Sequence, residues 1–152
     1  MSMIKIQSED FDVGEEYQRL RNTTEKDEPS GAIVTFCGLV RDIEKNNKIT
    51  ALRLEHYPGM TEKALEEIVK EANARWALTD TTIIHRIGDL YANDQIVFVG
   101  TASAHRKAAF EACEFLMDYL KTKAPFWKKA IMESGDEWIE AKDSDNNAAD
   151  RW

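Results

Sequence analysis

Four lysines lie within nine residues late in the chain, namely Lys121, Lys123, Lys128 and Lys129, and no acidic residue lies among them. A lysine is a cation and a proton donor when charged, and it becomes a nucleophile or a base when its pKa falls. Neighbouring positive charges lower that pKa. Because the aromatic pair at 126–127 lies inside the cluster, these residues could bind a phosphate and a flat ring together. The alternative is structural, since lysines at a helix C-terminus also complement the helix dipole.

A second candidate site is the segment TASAHRKAAF, residues 101–110. Ser103 is predicted to cap a helix, which places His105 and Arg106 in its first turn. Cations there oppose the helix dipole, but free backbone N–H groups and two cationic side chains in one turn would suit an oxyanion or a phosphate. A solvated arginine and a neutral, hydrogen-bonded histidine explain the same residues equally well.

A third candidate is the segment FCGLVRD, residues 36–42. Gly38 permits a close approach of the backbone to a ligand, because it has no side chain. Arg41 follows a strand, at the start of a loop, where site residues commonly lie. Taken alone, the pattern favours the alternative, a surface arginine that ends a strand.

Other residue types that often do chemistry are predicted to be structural. Cys37 and Cys113 lie in apolar runs, which favours buried, reduced thiols. His85 lies in an apolar strand and is predicted to be a core histidine with satisfied hydrogen bonds. No CxxC pair, HExxH spacing or glycine-rich phosphate loop occurs, so neither a metal nor a nucleotide cofactor is expected.

The composition limits the class of protein. A chain of 152 residues with 43% hydrophobic and 32% charged residues is expected to form one domain, residues 1–152. Its net charge of -8 and sequence pI of about 4.9 argue against nucleic-acid or membrane binding. The N-terminus lacks an apolar signal region and no segment reaches 18 apolar residues, so a cytoplasmic protein is expected.

Hydrophobic periodicity predicts the elements that position these residues, in the order β-α-β-β-α-β-β-α-β-β. The run AIVTFCGLV is predicted to be a strand buried on both faces. HRKAAFEACEFLMDYLKTK is predicted to be a long helix that Pro125 ends. The polar tail, residues 142–152, is predicted to be loose. Strand pairs between helices indicate an α+β fold, with a mixed or antiparallel sheet and helices on one side of it.

Taken together, several long segments resemble one family, the large catalytic subunit of molybdopterin synthase, or MoaE family. The resemblance extends from about Phe11 to Trp152. It rests on the segments VTFCGLVR, LEHYPGMTEKAL, IIHRIGDL, IVFVGTASAHR, AFEACEFLMDYLKTKAPFWKK and DSDNNAADRW.

The resemblance implies a fold, partners and a reaction. The fold would be of the α/β-hammerhead type, and two large subunits would form a homodimer. A small ubiquitin-like subunit, ending in Gly-Gly with a C-terminal thiocarboxylate, would bind each end to give a heterotetramer. The reaction would move sulfur from that thiocarboxylate onto cyclic pyranopterin monophosphate and form the dithiolene of molybdopterin. An anionic substrate and an anionic tail would both explain a lysine cluster in an acidic protein.

The resemblance also implies roles for particular residues. Lys121 and Lys128 would be the two catalytic lysines. The substrate pocket would also include Leu39, Val40, Arg41, His105, Arg106 and Lys129. The chain departs from the family pattern at Leu39, where a basic residue can occur, and at Ala130, where an acidic residue can occur. Contacts with the substrate at these two positions would therefore have to come from the backbone.

The spacing of these residues has a geometric consequence. His105 and Lys121 lie near opposite ends of one predicted helix, and sixteen residues at about 1.5 Å each span roughly 24 Å. One small pterin can hardly contact both ends within one chain, so we expect the pocket to be shared across a two-fold dimer. Two alternatives remain open from the sequence: a non-catalytic scaffold that docks a ubiquitin-like protein, and a small anion-binding regulatory module.

Overall fold

The chain folds into two β-sheets and four helices. The computed structural model describes residues 2–23, 29–41, 43–44, 47–132, 135–139 and 143–152. The helices are α1 (Val13–Arg21), α2 (Met60–Arg75), α3 (Arg106–Lys123) and α4 (Asp143–Asp150). The strands are β1 (Ser2–Gln7), β2 (Ala32–Leu39), β3 (Ile43–Glu44), β4 (Asn47–His56), β5 (Leu78–Arg86), β6 (Gly88–Leu90), β7 (Gln95–Ser103), β8 (Phe126–Met132) and β9 (Gly135–Ile139). None of the described helices is both long and apolar enough to cross a membrane.

The ten predicted elements are all present, and the α+β class is confirmed. The structure adds the short strands β3 and β6 and the helix α4. The first sheet has the order β1-β5-β7-β2, in which β1 runs parallel to β5 and the other pairs are antiparallel. The second sheet joins β3, β4, β8 and β9, with β6 beside β4.

Both faces of the first sheet are covered by helices. Side chains alternate along its central strands, so that Ile83 and Val99 face the core that includes α2 and α3. Ile84 and Phe98 face the other way and pack against Leu20 of α1. The prediction that the helices lie on one side of the sheet is therefore wrong. The sequences of β5 and β7 show no alternation of apolar and polar residues, because both faces of each strand are buried.

Strand β2 lies at an edge of the first sheet, hydrogen-bonded only to β7 among the described strands. Phe36 is 41% exposed and Leu39 is 50% exposed. The prediction that this strand is buried on both faces is wrong for the chain by itself. An apolar run predicts that a strand is buried, but it does not indicate whether the surface that covers it belongs to the same chain.

Where the structure describes the C-terminal tail, it forms helix α4 and packs against the end of α2 and against α3. Helix α4 ends two residues before Trp152, whose ring lies 5.7 Å from that of Trp76 and 5.8 Å from that of Phe115. The Trp152 indole N–H donates to Asp118 at 2.6 Å, and its carbonyl accepts from Arg75 at 2.7 Å. One aromatic side chain thus anchors a segment whose other residues are mostly polar.

Candidate active site

A cavity of about 340 Å³ brings together residues from both sheets, α3 and α4. Its polar lining consists of Arg41, His85, Lys121, Lys128 and Asp145. Its apolar lining consists of Ile96, Val97, Leu120, Ala124, Phe126 and Ile139. Arg41 and Lys121 are solvent-exposed, whereas His85 is buried, so the cavity opens to solvent on the cationic side and closes at the histidine.

The end of α3 and the strand β8 that follows it each place one lysine in this cavity. Lys121 lies in the last helical turn, where a cation complements the helix dipole. Ala124 is extended and Pro125 follows it, which ends the helix as the sequence predicted. The chain then reverses into β8. Residues alternate along that strand, so Phe126 and Lys128 face the cavity together.

Lys129, the next residue of β8, points away from the cavity. Its ammonium group lies 3.8 Å from a carboxylate oxygen of Asp136 and 5.2 Å from the ring centre of Trp138. Ala130 is only 1% exposed and belongs to the core. Of the two adjacent lysines, the cavity therefore receives only the side chain of Lys128.

Arg41 enters the cavity because the residue before it is held in place. The Val40 N–H donates to the carbonyl of Asp94 at 2.9 Å, and the Val40 carbonyl accepts from the Asn93 N–H at 2.8 Å. Val40 itself is buried and Leu39 is exposed, and neither side chain lines the cavity.

The structure explains why residue 38 is a glycine by strand packing and not by contact with a ligand. A Cβ placed on it would lie 2.8 Å from a methyl group of Val97 on the neighbouring strand. The glycine thus lets β2 and β7 pack together, and the prediction that it lets the backbone approach a ligand gains no support.

His105 and Arg106 lie at the other end of α3. Both are exposed, and neither lines the cavity of Lys121. His105 is the N-cap residue and makes no side-chain cap hydrogen bond. The prediction that Ser103 caps the helix is wrong, because its hydroxyl donates to the carbonyl of Ala77 at 2.8 Å. The structure therefore gathers Arg41, Lys121 and Lys128 but not His105 and Arg106 at the N-terminal end of α3.

His85 and Asp145 are polar cavity residues that the sequence interpretation missed. His85 has the more unusual surroundings. It is only 3% exposed, and its Nδ1 lies 2.8 Å from the carbonyl oxygen of Arg86. Its ring stacks on Phe126, with centres 3.8 Å apart and planes at 15°. Burial first, and then the charges of Lys128 and Lys121, lower the pKa of His85 from 6.5 to about 4. The predicted core position and hydrogen bond are confirmed, but contact with the cavity is added by long-range folding.

The two cysteines are not activated thiols. Cys113 is buried, and burial raises its pKa to about 12. Cys37 is half-buried, and its thiol donates to the Gln95 side-chain oxygen at 3.3 Å. Burial also raises the pKa of Cys37. Both thiols stay protonated at neutral pH, and neither lines the cavity.

Comparison with known proteins finds one matching family, close sequence relatives and similar solved structures. Residues 6–123 match the family described as MoaE protein. The molybdopterin synthase catalytic subunit of Escherichia coli is 57% identical over 149 residues, covering 98% of this chain and 97% of that protein. The structure of the molybdopterin biosynthesis MoaE protein from Burkholderia ambifaria is 49% identical, with a TM-score of 0.84 over 100% of this chain and 98% of that chain.

A more distant solved structure agrees in fold. A chain from Helicobacter pylori is 24% identical, with a TM-score of 0.71 over 92% of this chain and 90% of that chain. That structure is described as a protein–protein complex of subunits 1 and 2 of molybdopterin-converting factor.

Proposed function

The chain belongs to the MoaE family of molybdopterin synthase catalytic subunits, and we propose that it transfers sulfur to a pterin. The donor is the C-terminal thiocarboxylate of a small ubiquitin-like subunit. The acceptor is cyclic pyranopterin monophosphate, and the product is the dithiolene of molybdopterin. Membership of the family makes the chain an enzyme of molybdenum cofactor biosynthesis. The sulfur chemistry itself is our proposal.

The observation that carries the proposal is the cationic cavity in an acidic chain. Arg41, Lys121 and Lys128 line one cavity, although the net charge of the chain is -8. The substrate carries a phosphate, and the donor tail ends in a negatively charged thiocarboxylate. Local positive charge attracts both groups against the overall negative field of the protein.

The same cations suit the charges that develop during the reaction. The thiocarboxylate sulfur attacks a carbon of the substrate, and the acyl–sulfur bond must then be cleaved to leave sulfur on the pterin. Negative charge develops on the acyl oxygen and on the oxygen that leaves when the cyclic phosphate opens. Lys121 and Lys128 stabilise this charge as fixed cations, and the planar guanidinium of Arg41 binds the phosphate.

The proposal includes two kinds of protein partner. The small subunit threads its Gly-Gly tail toward Lys121, because glycine lets a backbone enter a narrow space without side-chain clashes. A second large subunit covers the exposed apolar edge formed by Phe36 and Leu39 of β2. Its His105 and Arg106 complete the anion site, which would give two equivalent sites in one dimer and a heterotetramer overall.

The experiment that tests the proposed function is reconstitution. The purified chain is incubated with a thiocarboxylated small subunit and cyclic pyranopterin monophosphate, and the dithiolene product is measured. We expect product with the thiocarboxylated subunit and none with its carboxylate form. A folded protein that binds the small subunit but forms no product would instead be a scaffold. A protein that binds the pterin phosphate without any need for the small subunit would be a regulatory module.

A further inference from the structure

His85 is the uncharged nitrogen-containing side chain of the cavity lining, whereas Arg41, Lys121 and Lys128 are cations. The Nδ1 atom lies 2.8 Å from the carbonyl oxygen of Arg86. A carbonyl only accepts, so Nδ1 must carry the proton and donate it to this oxygen. In a neutral ring the lone pair is then on Nε2. His85 lines the cavity, and Nε2 is the only atom of its neutral ring that can accept a hydrogen bond there.

The orientation of the imidazole is fixed from two directions. The hydrogen bond to the Arg86 carbonyl holds one edge of the ring. The Phe126 ring covers one face at 3.8 Å, and β8 pairs Phe126 with His56 of β4. A ring held at its edge and its face is pre-organised, which is what a group that must meet a reacting atom requires.

Several charged or titratable groups surround His85. Lys128 of β8, Lys121 of α3 and His56 of β4 act on it electrostatically, and all three disfavour its protonated form. Arg41 and Asp145 line the same cavity, with opposite charges. The cations and burial keep the ring neutral in the free protein, with a pKa of about 4.

Arg86, the neighbour of His85 on β5, is directed elsewhere. Its guanidinium donates to the carbonyls of Ser8 and Gln95 at 3.0–3.1 Å, so it does not act on the imidazole of His85 from within the cavity.

The proposed ligands change how easily His85 is protonated. A bound phosphate and a bound thiocarboxylate are negative, so they offset the lysine charges and make protonation of the imidazole easier.

We propose that His85 accepts, through Nε2, the proton of the water that cleaves the acyl–sulfur bond between the donor tail and the substrate. This inference rests on the proposed function. The water oxygen bonds to the acyl carbon, the carbon–sulfur bond breaks, and its electron pair stays on the sulfur as a thiolate of the pterin. The proton from water goes to Nε2. The tail leaves as a carboxylic acid, which ionises, and the imidazolium then returns its proton to solvent.

Two substitutions separate this role from a structural one. His85→Phe keeps an aromatic ring to stack on Phe126 but has no acceptor. His85→Gln keeps a hydrogen-bonding group but cannot take up a proton near neutral pH. A stacking role predicts that the phenylalanine variant is active, and a simple hydrogen-bonding role predicts that the glutamine variant is active. A proton-acceptor role predicts that both are slow.

The test is rapid quenching followed by mass spectrometry of the small subunit, with wild-type protein and both variants. Thiocarboxylated small subunit and cyclic pyranopterin monophosphate are the probes. We expect both variants to accumulate a covalent adduct of small subunit and pterin, and to hydrolyse it about 10²-fold or more slowly than wild type, as expected for loss of a general base. Hydrolysis at the wild-type rate by either folded variant would overturn the inference.

A measurement on the wild-type protein removes any dependence on how the variants fold. The rate of adduct hydrolysis should fall as pH is lowered, because protonation of Nε2 removes the acceptor. A wild-type rate that shows no fall as the pH is lowered through about 4 would overturn the inference. A wild-type protein that forms neither adduct nor dithiolene would overturn the proposed function and the inference together, whereas normal turnover in the variants would overturn the inference alone.

Discussion

The two ends of α3 carry similar charges in different surroundings. At the C-terminal end, Lys121 complements the helix dipole and lines a cavity with Lys128 and Arg41. At the N-terminal end, His105 and Arg106 are exposed, and the first turn contains no acidic residue. Cations at a helix N-terminus oppose its dipole. The C-terminal end of α3 thus lines a cavity with three cationic side chains, whereas His105 and Arg106 at the N-terminal end lie on an open surface.

This contrast is what our proposal of a site shared between two subunits explains, because each end of α3 would then supply part of it. The roughly 24 Å between His105 and Lys121 is too long for one pterin to bridge. Phe36 and Leu39 form an exposed apolar edge, which is the surface that we propose a second copy of the chain covers. The following predictions test how much the residues around the cavity and at the two ends of α3 contribute to activity and stability.

The largest effect is expected at the C-terminal end of α3. Lys121→Ala should lower turnover by about 10²–10³-fold, as expected when a group that stabilises transition-state charge is lost. Lys123→Ala is the matched control, since Lys123 lies in the same helix end but its ammonium lies over the Tyr119 ring at 4.9 Å. Single-turnover sulfur transfer measures both. Equal losses in the two variants would mean that general positive charge, and not the position of Lys121, matters.

The next effect compares two neighbours on one strand. Lys128→Ala should reduce turnover strongly, and Lys129→Ala by less than about tenfold, because alternation along β8 sends their side chains to opposite faces. Lys129 lies beside Asp136 and Trp138 outside the cavity. Initial rates at saturating small subunit provide the comparison. A larger loss for Lys129→Ala than for Lys128→Ala would contradict the assignment of the cavity.

The stability of the folded chain should depend on pH through His85, which lines the cavity at the C-terminal end of α3. In the unfolded chain the imidazole binds a proton below a pH of about 6.5, but in the folded chain only below about 4. The unfolded state therefore binds more protons in this window, and stability falls as pH is lowered from about 6.5 to about 4. The full difference corresponds to about 3 kcal/mol.

His85→Phe should remove this contribution. Urea unfolding of wild type and variant at a series of pH values measures it. We expect the variant to lose less stability than wild type across the window, because it has no imidazole to protonate. Parallel curves for the two proteins would show that the low pKa of His85 is not realised in solution.

A smaller effect on stability is expected from the contacts that hold α4, whose Asp145 lines the cavity. Trp152→Ala should destabilise the chain by about 2 kcal/mol, less than for a fully buried tryptophan because Trp152 is half-buried. Loss of its contacts with Trp76 and Phe115 should loosen the helix that carries Asp145. Thermal unfolding gives the stability change. An unchanged unfolding temperature would mean that the tail does not help to hold the cavity closed.

How far the sequence could predict this site depends on the range of the contacts. The lysine cluster, the helix and its end at Pro125 are local features, and the pattern predicted them. His85 and Asp145 reach the cavity through contacts between distant segments, which no local pattern encodes. The exposure of β2 was missed for a similar reason, because an apolar strand reads the same whether the chain or a second copy covers it.

The central claim is that the two ends of α3 serve one site shared by two subunits, and complementation tests it most directly. Lys121→Ala and Arg106→Ala homodimers should each be poorly active. In a mixed dimer one site collects both substitutions and the other collects neither, so one intact site and about half of the wild-type dimer activity should return. The measurement is sulfur transfer by heterodimers purified through two different affinity tags. Recovery would establish the shared site, and verified heterodimers that stay as inactive as the parents would contradict it.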